Sequence, residues 1–323
     1  MAKRLVVANL VPTSNHIIAV LVFIIISIPS SSAIVIDAKN NWEGPYEVSG
    51  GRTLLVEELS ATWCPSCTEI DPYLMEVADS HGSRISLVTY HPSDDVDAFQ
   101  PEASQHRIDR LKVTHPDIGS TPSFIVDGGK MRVGPESWPD VQKDILTKEV
   151  NNPNPSDFSF EIKKVNGLIQ ASVKEFENQG NGVNMSQLTF LLAQHSLSVP
   201  EGFENPGGDT RDRVVTAVAE CNLQNNSISY HSGFNNVSIS DGSCQTGFSV
   251  TLSEEISQFS LVLIHERTYD NLTTQDTSAN TYGVVEFSFR EVEVTDSWNN
   301  LIAILFGFTI VGFLLNYYYN SKK

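Results

Sequence analysis

Cys64 and Cys67, three residues apart, are the side chains in this 323-residue chain best placed to do chemistry. Cys64-Pro65-Ser66-Cys67 follows a short apolar run, Leu54-Leu55-Val56. It precedes a stretch in which Ile70, Leu74, Val77 and Ala78 mark one face of a helix. Pro65 suits a first helical position, because its φ is already set and its missing N–H would have no partner there. The first sulfur then sits at a helix N-terminus, where free backbone N–H groups and the helix dipole favour negative charge. That lowers the thiol pKa and makes Cys64 a nucleophile. Cys67, one turn further, can reach it and resolve a mixed disulfide. Zinc sites and structural bridges use the same spacing. A metal would need further ligands: His91 is the candidate for a Cys₂His copper or zinc site, whereas His81, His106 and His115 are scattered among polar residues. In its ordinary reading His91, ahead of Pro92, ends a strand. The sequence shows no Ser-His-Asp grouping, Gly-rich phosphate loop or His-Glu-x-x-His motif, and Asp94-Asp95 and Ser253-Glu254-Glu255 read as solvated charge.

The elements that must position the pair alternate along 53–150. After the first strand and helix, Ile85 to Tyr90 reads as a strand and Phe99 to Leu111 as a polar helix. Ser123-Phe124-Ile125-Val126 is a strand that turns at Asp127-Gly128-Gly129 into Met131-Arg132-Val133, and Val141 to Val150 is helical. The order β-α-β-α-β-β-α implies a central sheet with helices on its faces. Asn151-Asn152-Pro153-Asn154-Pro155 reads as a linker. Beyond it come strand-like runs beginning at Phe158, Leu168, Leu188, Phe248, Leu261 and Val285, separated by Gly, Asn and Ser, which predict an antiparallel β-sandwich. Ala217-Val218-Ala219 fits helix and strand equally.

The segment from about Thr53 to Val150 resembles the thioredoxin superfamily. The resemblance rests on Trp63, the Cys64-Pro65-Ser66-Cys67 turn and Thr121-Pro122 ahead of a strand. It implies a redox-active Cys64–Cys67 disulfide and a cis Thr121–Pro122 bond beside Cys64, with Trp63, Thr121 and Pro122 forming the face where substrate docks. Family members bury an acid six residues before the first cysteine, and Glu58 stands there. Desolvation would raise its pKa, as a base serving Cys67 near neutral pH requires. The plain alternative is that Glu57 or Glu58 points to solvent. The chain also departs from the family. Its Pro-Ser dipeptide differs from the Gly-Pro of reducing thioredoxins and the Gly-His of disulfide isomerases, which leaves the direction of electron flow open. His91 to Ser120 is a long connection, from which an inserted helix would shape access to the disulfide. With Cys64 and Cys67 paired, Cys221 and Cys244 remain as a structural bridge stabilising their domain by about 3 kcal/mol. Two inert buried thiols are the alternative.

Both ends read as membrane signals. Lys3 and Arg4, the apolar run Ile17 to Ile28 and Ser30-Ser31-Ser32-Ala33 describe a secretory signal, or an uncleaved anchor if the run extends through Ile36. Leu301 to Leu315, flanked by Trp298, by Tyr317-Tyr318-Tyr319 and by Lys322-Lys323, predicts a spanning helix with its tail in the cytoplasm. Sequons at Asn184, Asn225, Asn236 and Asn271 are compatible with export. With 21 Lys and Arg against 39 Asp and Glu, a net charge of −18 argues against a nucleic-acid partner.

The expected class is therefore an α/β thioredoxin-like domain, then an all-β sandwich, then a C-terminal transmembrane helix. The expected spans are a signal or anchor over 1–36, the thioredoxin-like domain over 48–150, a linker over 151–156, the sandwich over 157–295, a membrane helix over 299–319 and a tail over 320–323. The expected localisation is the cell membrane, with a single-pass C-terminal anchor and the bulk of the chain extracytoplasmic. The expected function is thiol–disulfide exchange on cysteines of exported proteins, with a separate redox partner protein, no metal and no cofactor. The rival readings are a surface binding protein with a static Cys64–Cys67 bridge and a metal-delivery module using His91.

Overall fold

The computed structural model describes residues 34–151, 156–178 and 183–292. The expected secretory segment up to Ala33 and the expected membrane helix over 299–319 lie outside them.

The Leu54–Leu59 strand is buried along its whole length because it lies between two others. It pairs in parallel with Ile85–Tyr90 and antiparallel with Ser123–Val126, which continues to Arg132–Val133. Two helices, Pro65–His81 and Trp138–Asn151, cover one face. They bury Ile70, Leu74, Ala78, Val141 and Ile145 against Leu54, Val56, Leu87 and Phe124. Cys64 caps the first helix, Pro65 opens it, and Gly82 at φ 57° ends it. The helix Glu102–Thr114 lies on the other face.

The expected class does not hold. The described residues are mostly sheet with few helices, and one ten-stranded sheet runs through both halves of the chain. Its link is the parallel approach of Ile85–Tyr90 to Val214–Asn222, where Val214 pairs with Thr89 and the Thr89 N–H donates to the Arg213 carbonyl at 2.9 Å. From there the sheet continues through Ser186–Gln194, Phe259–Arg267 and Thr281–Arg290 to Ile34–Asp37. The Ala217-Val218-Ala219 segment is strand. Ile34–Asp37, the stretch that would have extended an N-terminal anchor, instead pairs in parallel with Thr281–Arg290. A second, five-stranded sheet, running from Asn236–Ile239 to Tyr46–Gly50, packs on the far part of the first around Phe158, Phe160, Phe190, Phe248 and Phe259.

What joins the halves is apolar and ionic together. Leu55, Val88, Ile108 and Leu111 share one buried core with Leu191, Val215, Val218 and Val262. Inside it Arg107 donates to Glu57 Oε1 at 2.9 Å and to Glu266 Oε1 at 2.7 Å, and Arg110 Nη2 lies 3.3 Å from Glu266 Oε2. Hydrophobic periodicity reports which face of an element is buried but not which strands share a sheet, so the linker at 151–155 read as a domain boundary.

The membrane-anchored localisation is corrected as well: among the described residues no helix is long and apolar enough to cross a membrane.

Candidate functional site

Cys64 and Cys67 are joined, with their Cα atoms 5.3 Å apart. Cys64 has extended backbone angles at the head of the helix Pro65–His81, and its sulfur accepts from the Cys67 N–H at 3.1 Å. Ser66 Oγ lies 3.4 Å from the same sulfur. Neither cysteine is open to solvent: Cys64 is 2% exposed and Cys67 0%. Trp63 packs against them, and its indole N–H donates to Asp94 Oδ2 at 3.0 Å.

Asp94 is exposed, as its reading as solvated charge has it, and is fixed in place by that bond. It belongs to a loop sewn to the approach to Cys64. Asp97 Oδ2 accepts from the Thr62 N–H at 2.7 Å and contacts His91 Nδ1 at 2.8 Å, while the Ala98 N–H donates to Thr62 Oγ1 at 2.9 Å. Burial pushes the Asp97 carboxyl up, but the hydrogen bond and charge of His91, with the Thr62 and Phe99 amides, outweigh it and hold the group below the ordinary range. The loop, rather than the helix that follows, borders the disulfide. Glu102–Thr114 turns away, with Ser104 Oγ donating to the Val215 carbonyl at 2.7 Å. His91 is held by Asp97 and the two cysteines by each other, so these three side chains do not form a ligand set here.

Glu57 and Glu58, neighbours on one strand, face opposite ways and are both buried. Glu57 accepts from Tyr90 Oη at 2.8 Å and from Arg107. Glu58 accepts from Thr89 Oγ1 at 3.3 Å. Burial raises the Glu58 carboxyl well above the usual range, the charge of Asp71 adds to this, and the Thr89 hydroxyl opposes it. Asp71 is raised to about 6, chiefly by burial, against the pull of Arg211 and His91.

The Thr121–Pro122 bond is cis. Ser123 pairs with Leu59, so Thr121 and Pro122 stand at the same end of the sheet as the Ser60–Trp63 connection to Cys64. Cys221 and Cys244 form a second disulfide, in the core between the two sheets.

Two residues of this neighbourhood escaped the sequence reading. Asp71 lies four residues after Cys67, a helical spacing that would have placed the two on one face. Arg211 arrives from far along the chain: its Nη2 reaches the Thr62 carbonyl at 3.3 Å and Asn205 Oδ1 at 2.6 Å.

No protein-family model and no curated protein matches the chain. Among solved structures, that of HBP35 of Porphyromonas gingivalis is similar, with a TM-score of 0.51 and 14% identity over 76% of this chain and 78% of that one. A structural-genomics protein of Agrobacterium tumefaciens follows at a TM-score of 0.47 and 10% identity, covering 76% of this chain and 98% of that one. At these identities the first likeness concerns the fold alone.

Proposed function

We propose that this protein carries out thiol–disulfide exchange at Cys64–Cys67 on the cysteines of other proteins. The observation that carries the reading is the position of the disulfide across the head of a seventeen-residue helix, with the Cys67 amide directed at Cys64 Sγ from 3.1 Å. An incoming thiolate attacks Cys64 Sγ, the Cys64–Cys67 bond breaks, and Cys67 leaves with the bonding pair. The mixed disulfide at Cys64 is resolved by a second thiolate of the substrate, which releases a Cys64 thiolate held by the helix N-terminus. In the opposite direction Cys67 resolves. Glu58 supplies and removes the proton at Cys67, and Trp63, Thr121 and Pro122 form the docking face. Electrons pass to or from a separate protein thiol. The resemblance to the thioredoxin superfamily at Trp63, Cys64, Cys67 and Pro122 supports this reading.

The test is trapping. Cys67→Ser should accumulate mixed disulfides with protein thiols under mild oxidation, and Cys64→Ser should abolish exchange. Absence of adducts with Cys67→Ser would sink the mechanism.

The 2% exposure of Cys64 favours a second reading, a static bridge in a binding protein. Under it neither variant traps a partner, and the bridge resists mild reductant.

A further inference from the structure

A cavity of about 300 Å³ lies between the helix Pro65–His81, the strands Leu54–Leu59 and Ile85–Tyr90, and the segment 208–212. Around it five buried polar atoms have no hydrogen-bond partner among the described residues: Glu58 Oε1, Ser60 Oγ, Asp71 Oδ1, His91 Nε2 and Arg211 Nε. Buried polar groups are nearly always satisfied, so five orphans around one space call for an explanation. Most of the side chains that line the space are polar, and it is roomy enough for several water molecules at about 30 Å³ each. It reaches the surface beside Pro72, Gly208 and Thr210, which are exposed.

Glu58 and Asp71 both line this cavity, each with one buried carboxylate oxygen that has no partner, and the charge of Asp71 acts on Glu58. Two carboxylates cannot bond to one another, because neither has a hydrogen to give. A single proton shared by the pair would satisfy Glu58 Oε1 and Asp71 Oδ1 together. The charged and titratable groups that face Asp71 are Glu58 from one strand, His91 after the next, and Arg211 and Asp212 from the far segment. Arg211 balances the negative charge remaining on the pair.

We propose that Asp71 is the second carrier of a proton path that joins Cys67, through Glu58, to the water-accessible cavity bounded by Arg211. This rests on the exchange reading above. When Cys67 leaves as a thiolate it takes the proton of Glu58. Glu58 is then reprotonated by Asp71, and Asp71 by water. In the opposite direction Cys67–SH gives its proton to Glu58, the thiolate attacks Cys64 of the mixed disulfide, and the substrate thiolate departs while the proton leaves through Asp71. Asp71 touches no substrate and acts through Glu58, so it is a positioning and relay residue.

The test compares full-length protein with Asp71→Asn and Glu58→Gln, using dithiothreitol as reductant and following the reduction rate of Cys64–Cys67 from pH 5 to 9. Removing the like charge at Asp71 lets Glu58 ionise more readily, so the Asp71→Asn profile should move toward acid by about one pH unit or more. The Glu58→Gln profile should lose that inflection. Infrared difference spectra of the unreduced wild-type protein give a readout that needs no turnover, and should show a protonated carboxyl persisting above pH 6 that changes in both variants. Superimposable profiles for wild type and Asp71→Asn, or a carboxyl band unmoved by Asp71→Asn, would overturn the relay. A wild-type protein that does not exchange at all would overturn the exchange reading instead, and the infrared result would still decide the proton sharing.

Discussion

The backbone N–H of Cys67 is directed at the sulfur of Cys64 from 3.1 Å, across the first turn of the helix they open. When the disulfide breaks, that N–H is already in place to bond a Cys64 thiolate, and the helix dipole favours the same charge. Under the proposed exchange, the preference for Cys64 as nucleophile would come from the backbone and not from a neighbouring base.

Access to Cys64 should depend on Trp63. Its indole is tied to Asp94, which also holds the Val96 and Asp97 amides. Asp94→Ala should free the indole and speed dithiothreitol reduction of Cys64–Cys67 several-fold while leaving Cys221–Cys244 intact, as read by alkylation and mass spectrometry. An unchanged rate would mean that Trp63 does not gate the sulfur.

Arg211 pulls the Asp71 carboxyl down against burial, which still raises it to about 6. Arg211→Gln removes a cation from beside an acid, so Asp71 should titrate above that value. Infrared or carbon-13 titration of the carboxyl would check it, and a shift toward acid would show that Arg211 faces elsewhere.

Arg107 lies among Glu57, Tyr90 and Glu266 with only 1% of its surface exposed. Arg107→Met would leave buried Glu57 without its cation and Glu266 with Arg110 alone, at a cost of about 3–5 kcal/mol in urea unfolding. Adding Glu57→Gln and Glu266→Gln should recover most of that loss. A single-variant cost below about 1 kcal/mol would contradict the network's role in joining the two halves of the chain.

That network also marks the limit of sequence reading. Pro65 at a helix start and the buried strand at Leu54-Leu55-Val56 follow from local chemistry, whereas the cis Thr121–Pro122 bond is legible only through the resemblance to the thioredoxin superfamily. Phe99 to Leu111 reads as a polar helix, and nothing local shows that Arg107 and Arg110 turn inward, because the carboxylate that neutralises them, Glu266, lies 159 residues beyond Arg107. Val214 beside Thr89 was hidden for the same reason. A strand pairing closed over such a separation carries no periodic signature. Asp71 was within reach of a spacing argument from Cys67, but its meeting with Glu58 and Arg211 belongs to the tertiary fold alone.

His265 is buried between Ser156 Oγ at 2.6 Å and Ser186 Oγ at 2.8 Å. Burial lowers its pKa from 6.5 to about 3, with Glu266 opposing. Between those values the unfolded chain binds the proton and the folded one does not. The stability tied to His265 is therefore complete above about pH 6.5 and is lost progressively down to about pH 3. At pH 5 the loss should be about 2 kcal/mol. Urea midpoints at pH 7 and pH 5 should draw apart less in His265→Gln than in wild type, and an equal separation would contradict the assignment.

The most direct test of the central claim is the redox equilibrium of Cys64–Cys67 in the full-length protein, titrated against glutathione with Cys221–Cys244 as internal control. An exchange-active pair should equilibrate rapidly at a potential near or above about −270 mV, while the second disulfide stays oxidised. A Cys64–Cys67 bond that exchanges slowly and remains oxidised below about −300 mV would be structural, and the account of this site as a thiol–disulfide exchanger would be wrong.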